Sequence, residues 1–151
     1  MTTLTVTDHI SVVTFGSIPT EKENEIIEGL FRSAAMRNIC IDMISKSYVT
    51  TDYTAIAVSL SDEEIPALIN AIVALKLKRA PMISCGHIKL IIKGEEMNCS
   101  TGYAYRFMTA IRAAEATPLL ITTAVDEISA VIRESESVRA IAELKKAFNI
   151  K

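Results

Sequence analysis

Asp42 is the residue whose placement most suggests chemistry. It stands alone in the apolar run Ile39-Cys40-Ile41-Asp42-Met43-Ile44. In an extended segment it points opposite to Ile41 and Met43, so a single carboxylate is offered from one face of a strand. That face can receive a ligand ammonium; the plainer alternative is an exposed carboxylate, or one paired with Lys46. A second candidate is the loop Met97-Asn98-Cys99-Ser100-Thr101-Gly102, which precedes a helix-periodic stretch. Free amides at a helix N-terminus receive carboxylates, Ser100 adds a donor, and Gly102 permits close backbone approach. The plainer alternative there is a polar connection with an N-cap serine. Together the two elements have the chemistry of an amino-acid site.

Other constellations are excluded. His9 and His87 are the only histidines, and no carboxylate or cysteine is spaced to complete a metal set with them, so they read as turn residues copied by duplication. The chain has three cysteines, Cys40, Cys85 and Cys99, an odd count without a Cys-x-x-Cys pair, which argues against disulfides and zinc. Cys40 and Cys85 lie in apolar runs and read as small core or sheet residues. There is no Gly-rich phosphate loop and no Ser-His-Asp order, so no catalytic residue, metal or cofactor is expected.

These residues sit on a duplicated plan. His9-Ile10-Ser11-Val12-Val13-Thr14-Phe15-Gly16 is answered by His87-Ile88-Lys89-Leu90-Ile91-Ile92-Lys93-Gly94. Each run leads through a polar loop into a helical stretch, carrying Phe31 in one copy and Phe107 in the other. The first copy continues with strands at Ile39–Ile44 and Thr54–Leu60. Ser61 and Glu64 then form a capping box before a helix with Ile65, Leu68, Ile69, Ile72 and Val73 on one face. Pro81–Cys85 closes it. The second copy has a helix burying Tyr103, Phe107, Met108 and Ile111, strands at Leu119–Thr123 and Ile128–Ile132, and a last helix using Val138, Ile141, Leu144 and Phe148.

The second copy lacks a closing strand, while Leu4–Thr7 is spare at the other end of the chain. An orphan strand leaves backbone groups unsatisfied. Leu4–Thr7 is therefore assigned to the second copy, and the first is inserted into it. The expected fold is α+β: two ferredoxin-like βαββαβ units with antiparallel sheets and helices on one face, the first over 8–86 and the second over 1–7 plus 87–151.

Composition agrees with a folded chain. Of 151 residues, 50% are hydrophobic and 23% charged, which excludes disorder. A chain of this length buries roughly 70% of its unfolded surface, whereas half of it would bury nearer 60%, so the halves need partners. The net charge of −2 gives no basis for nucleic-acid binding. Lys76, Lys78 and Arg79 read as complements to a helix dipole. The N-terminal residues have neither a basic segment nor an apolar span, which points to a cytoplasmic protein without a membrane segment.

The sequence resembles the tandem ACT regulatory region of aspartokinases over nearly its whole length. Asn38-Ile39-Cys40-Ile41-Asp42-Met43-Ile44 is similar to the family's "G-I-N-I-D-M-I", and Thr50-Thr51-Asp52-Tyr53-Thr54 to its "G-T-T-D-I-S". Met97–Gly102 stands at its "M-x-x-x-x-G" loop, Ile121-Thr122-Thr123 at its "I-S-T", and Ala147-Phe148-Asn149-Ile150 resembles its "A-F-x-L" ending. The resemblance implies a regulatory module without a kinase domain, sensing lysine or threonine. It also implies a homodimer and an aspartokinase catalytic subunit as a further partner. The effector-binding positions it implies are Asp42, Met43, Ile44 and Ser45 in the first unit, and Met97, Ser100, Gly102, Tyr103 and Thr123 in the second. The family's first loop often reads "D-R-P-G", and Ile18-Pro19-Thr20-Glu21-Lys22-Glu23-Asn24 has neither its Asp nor its Gly. Lys46 stands where threonine-sensitive relatives carry glutamine. An ACT-fold assembly module that has lost its ligand is the alternative reading, and a small ferredoxin-like enzyme a third.

Overall fold

A computed structural model describes residues 1–98 and 100–151. Cys99 lies outside the described residues. The strands are β1 (Thr3–Pro19), β2 (Ile44–Tyr48), β3 (Tyr53–Ser61), β4 (Met82–Lys93), β5 (Leu120–Thr123) and β6 (Glu127–Arg133). The helices are α1 (Glu23–Met36), α2 (Ile65–Ala74), α3 (Tyr103–Ala113) and α4 (Ser137–Phe148). The chain divides into an inner unit, Ser11–Cys85, and an outer unit made of Met1–Ile10 and Gly86–Lys151. The fold is α+β with antiparallel pairing, as expected.

β1 and β4 are long strands, each contributing to both units. Two predicted runs, Leu4–Thr7 and Ile10–Phe15, are thus one strand, as are Pro81–Cys85 and Ile88–Ile92. The two histidines stand beside the change of unit rather than in free turns. His9 has φ 56, and Gly86, next to His87, has φ 74. Such left-handed residues interrupt a strand's regularity without ending it.

In the inner unit, β2 pairs with β3 from Ile44↔Val58 to Tyr48↔Thr54, and β3 lies beside β1. Alternate residues Ile56, Val58 and Leu60 join Val13 and Phe15 in a core closed by Leu30 and Ala34 of α1 and by Leu68 and Ile72 of α2. In the outer unit, β6 lies between β4 and β5. Ile88, Leu90, Ile92, Ile128, Ala130 and Ile132 present one face to Phe107 and Ile111 of α3 and to Leu144 and Phe148 of α4. The period-2 strand pattern meets the helical period in both cores.

All four helices stop in the same way. A left-handed residue follows each, at Asn38, Lys76, Glu115 and Asn149. After α1, the Asn38 and Ile39 amides donate to the Ala35 and Ala34 carbonyls at 3.1 and 3.0 Å, and α3 and α4 end with equivalent pairs. These bonds satisfy carbonyls that the helices leave open.

Several expectations are corrected. Ile39–Met43 is not regular strand, and β2 begins at Ile44. Cys40 is exposed and lies outside any strand, while Cys85 is a sheet residue of β4, as read, and exposed. Ile69, Val73, Met108 and Val138 are exposed too, because each buried helix stripe is narrower than its apolar pattern. In α1 the fully buried side chain is Leu30, while Phe31 only packs against the core edge. Ser61 caps a 3₁₀ turn, Asp62–Glu64, by accepting from the Glu63 amide at 3.4 Å. Glu64 forms no capping box; its carboxylate accepts from the Cys40 amide at 2.7 Å.

Candidate functional site

The segment around Asp42 owes its shape to Ser59. The Asp42 amide donates to the Ser59 carbonyl at 2.9 Å, and the Ser59 amide donates to the Met43 carbonyl at 3.0 Å. The Met43 amide donates to Ser59 Oγ at 3.1 Å. Two residues of one strand thus oppose one of its partner, which is a β-bulge, a device that re-aims a side chain. Met43 is buried and Asp42 is turned outward, with Ser59 Oγ donating to its carboxylate at 3.4 Å. Ile44 is 49% exposed and Ser45 half-buried on β2. Successive strand residues face opposite ways, so Ile44 shares the helix-side face of Lys46, while Asp42, bonded to Ser59, and Ser45 offer a carboxylate and a hydroxyl from the other face.

Lys46 does not pair with Asp42. Its ammonium lies 3.0 Å from Glu23 Oε1 and 4.7 Å from the centre of the Tyr48 ring. Lys46 lies opposite Ile56 in the β2–β3 ladder, on the face that carries the helices, and Glu23 opens α1 above it. The Lys46 ammonium holds the Glu23 carboxyl below its ordinary value of 4.5, against the opposing effect of burial. The buried Thr54 hydroxyl beside Glu23 adds to that lowering, and Thr20 Oγ1 is buried without a hydrogen-bond partner among the described residues. This group was not legible in the sequence, where Glu23 reads only as a charge favouring the helix N-terminus.

The outer unit differs at the matching place. A 3₁₀ turn, Glu95–Asn98, follows β4, and α3 begins at Gly102, whose φ of 89 is one that only glycine adopts freely. The N-cap of α3 is Gly102, which has no side chain to cap with, so Ser100 is an exposed loop residue and not the N-cap. The first turn of α3 carries no acidic residue, whereas that of α1 carries Glu23 and Glu25. A ligand carboxylate is therefore favoured at α3 and repelled at α1. Met97 and Tyr103 pack into the outer core. The Tyr103 hydroxyl donates to Glu96 at 2.9 Å. Burial first, and then that hydrogen bond, raises the Tyr103 hydroxyl above its ordinary value of 10.0. Thr123 closes β5 in the turn that also places Asp126, whose carbonyl accepts from the Gly94 amide at 2.9 Å.

The nine expected positions thus form two groups, 42–45 in the inner unit and 97–123 in the outer. Among the described residues, no three His, Cys, Asp or Glu side chains gather as metal ligands. No helix is long and apolar enough to cross a membrane.

No family model matches the chain. A curated aspartokinase from Geobacillus stearothermophilus is 26% identical over 143 residues, covering 95% of this chain and 34% of that protein. The chain therefore spans about a third of its relative's length. The ligand-free regulatory subunit of aspartate kinase from Thermus thermophilus superposes with a TM-score of 0.86 at 18% identity, covering 96% of each chain. Aspartokinase III of E. coli, in complex with lysine and aspartate, matches with a TM-score of 0.68 at 14% identity, over 95% of this chain and 32% of that one. From β1 to α4, the chain has the fold of an aspartate kinase regulatory subunit, two ACT-type ferredoxin-like units.

Proposed function

We propose that this chain is the effector-sensing region of an aspartokinase, binding lysine or threonine as a feedback signal in the synthesis of aspartate-family amino acids. The observation that carries this reading is the end-to-end superposition on a regulatory subunit, 96% of both chains. Local chemistry supports it. The bulge turns Asp42 outward for an ammonium, on the sheet face that Ser45 shares. Gly102 opens an uncapped helix N-terminus without acidic residues, suited to a carboxylate. Met43, Met97, Ser100, Tyr103 and Thr123 complete the proposed surroundings. The chain acts as a homodimer and biases an aspartokinase catalytic partner, because a ligand that binds one conformation better shifts the population toward it.

The alternative, an assembly module without ligand, draws on one observation. The Glu23–Lys46 pair fills the flank of α1 where the first loop lacks both the Asp and the Gly of its relatives. Calorimetric titration of the protein with lysine, threonine, methionine and other amino acids separates the two readings. A saturable heat for lysine or threonine is expected, weakened by Asp42→Ala. Silence across the panel at millimolar ligand would overturn sensing in favour of assembly.

A further inference from the structure

We infer a second, separate ligand site in the inner unit, for a small organic dianion. An open groove of about 820 Å³ runs between the end of β1, the first turns of α1 and the segment joining α2 to β4. That volume lies within the range of small-molecule sites. Its floor is apolar, with Phe15, Ile18, Ile26, Leu75 and Leu77, and Tyr53 stands among its lining residues.

Lys22, Lys76, Lys78 and Arg79 line the same groove. Six cations elsewhere in the chain hold a carboxylate: Arg32 with Glu28, Lys46 with Glu23, Lys93 with Asp126, Arg133 with Glu136, Arg139 with Glu115 and Lys146 with Glu143. Among the described residues, Lys22, Lys76 and Lys78 have no ion pair, and Arg79 makes one hydrogen bond, to Ser17 Oγ at 3.4 Å. Gathering four like charges against only two carboxylates, Glu21 and Glu25, is unfavourable unless something else neutralises the excess.

The helix dipole does not account for the cluster. The last turn of α2 contains no basic residue. Lys76 stands at the helix end, its amide donating to the Val73 carbonyl at 3.2 Å, whereas Lys78 and Arg79 lie three and four residues past the C-cap Leu75, where the terminal partial charge falls off. The left-handed backbone at Lys76, φ 50, turns the chain away from the α2 axis as the groove wall begins.

Charge fixes the ligand class. Four cations against Glu21 and Glu25 leave a net charge of 4 − 2 = +2 on the lining. A phosphate monoester or a dicarboxylate matches that charge, and an apolar body attached to it covers the floor. Glu21 and Glu25 stand on the α1 side and direct the anionic head toward the α2–β4 segment. This site differs from the Asp42 and Gly102 positions in residues and in ligand, so it stands or falls apart from amino-acid sensing.

Backbone NMR titration of the whole chain with phenyl phosphate, phthalate and inorganic phosphate tests the inference. Phenyl phosphate or phthalate is expected to move the amides of 16–19 and 75–80 saturably. A stronger response to the first assigns a phosphate head, and to the second a dicarboxylate. Replacing Lys76, Lys78 and Arg79 together by Gln should weaken binding by about tenfold or more, the loss expected of charge-assisted hydrogen bonds. All three are exposed, so the variant should melt as the parent does. The inference is overturned if no saturable shift appears at these residues, or if the shifts persist in the triple variant. It is equally overturned if inorganic phosphate binds as tightly as phenyl phosphate, since the apolar floor would then contribute nothing.

Discussion

The inner and outer units tie down and end their helices alike and open their first helices differently. In each, a glutamate after a strand reaches back to the segment beyond that unit's first helix. Glu64 accepts from the Cys40 amide at 2.7 Å, and Glu136 accepts from the Thr117 amide at 3.4 Å and the Arg133 amide at 3.2 Å. Helix ends match as well, with a left-handed residue after each. The helix starts do not match. α1 opens with a glutamate held on a sheet lysine, whereas α3 opens on an uncapped glycine free of charge. The shared features satisfy backbone and bury apolar surface, which any copy of the fold requires. The differing ones sit where a ligand would arrive. Duplication supplied a scaffold, and the units diverged in the electrostatics of one helix end.

The largest expected effect comes from removing residues 1–7. Leu4 packs on the outer core, and the Thr3 hydroxyl donates to the Lys93 carbonyl at 3.4 Å. Hydrogen exchange on the truncated chain should show protection lost first over 86–151, although the deletion adjoins the inner unit. Loss confined to 11–85 would contradict the division of β1.

Next come the paired aromatics. Phe107 is fully buried, so Phe107→Ala should cost about 3–5 kcal/mol. Phe31 packs only at the edge of its core, and Phe31→Ala should cost about 1–2 kcal/mol. Equal losses in urea unfolding would mean the two cores are closed alike after all. The glutamate tethers come third. Glu136 is 9% exposed and holds two amides and Arg133, so Glu136→Ala should cost about 2 kcal/mol. Glu64 holds one amide in a more exposed place, and Glu64→Ala should cost about 1 kcal/mol.

A smaller contrast is set by pH. The folded state lowers the Glu23 carboxyl below 4.5, so the unfolded chain takes up a proton there first. The stabilisation is complete above that value and is lost as pH falls through the lowered folded value. Melting of parent and Glu23→Gln should therefore diverge above pH 4.5 and converge in more acid solution. Convergence at neutral pH would show that the Lys46 pair contributes nothing.

The α+β class and the antiparallel strands were legible because β-branched runs and helical periods alternate without ambiguity. What escaped was decided by contacts distant in sequence. Ile39-Cys40-Ile41 reads as strand on propensity, yet Ser59 imposes a bulge from 16 residues past Met43. Glu23 and Lys46 lie 23 residues apart and meet only when α1 settles on β2. Asp42 was legible as the odd polar residue of an apolar run aimed away from Met43; the bulge that holds it there was not. Lys76, Lys78 and Arg79 were visible as a cluster, but their groove needs β1 and α1 as well.

Asp42→Ala removes an exposed side chain that accepts from Ser59 Oγ at 3.4 Å, and should cost about 1 kcal/mol of stability, too little to unfold the chain. Its effect belongs to binding, and so it serves the most direct test. Hydrogen exchange is measured on the parent and on Asp42→Ala, with and without saturating lysine or threonine. Sensing by this fold predicts that one of the two amino acids protects amides at 42–45, at 97–105, or at both in the parent, and protects them less in the variant. Unchanged exchange at both places with either amino acid, in a protein that remains folded, would contradict it.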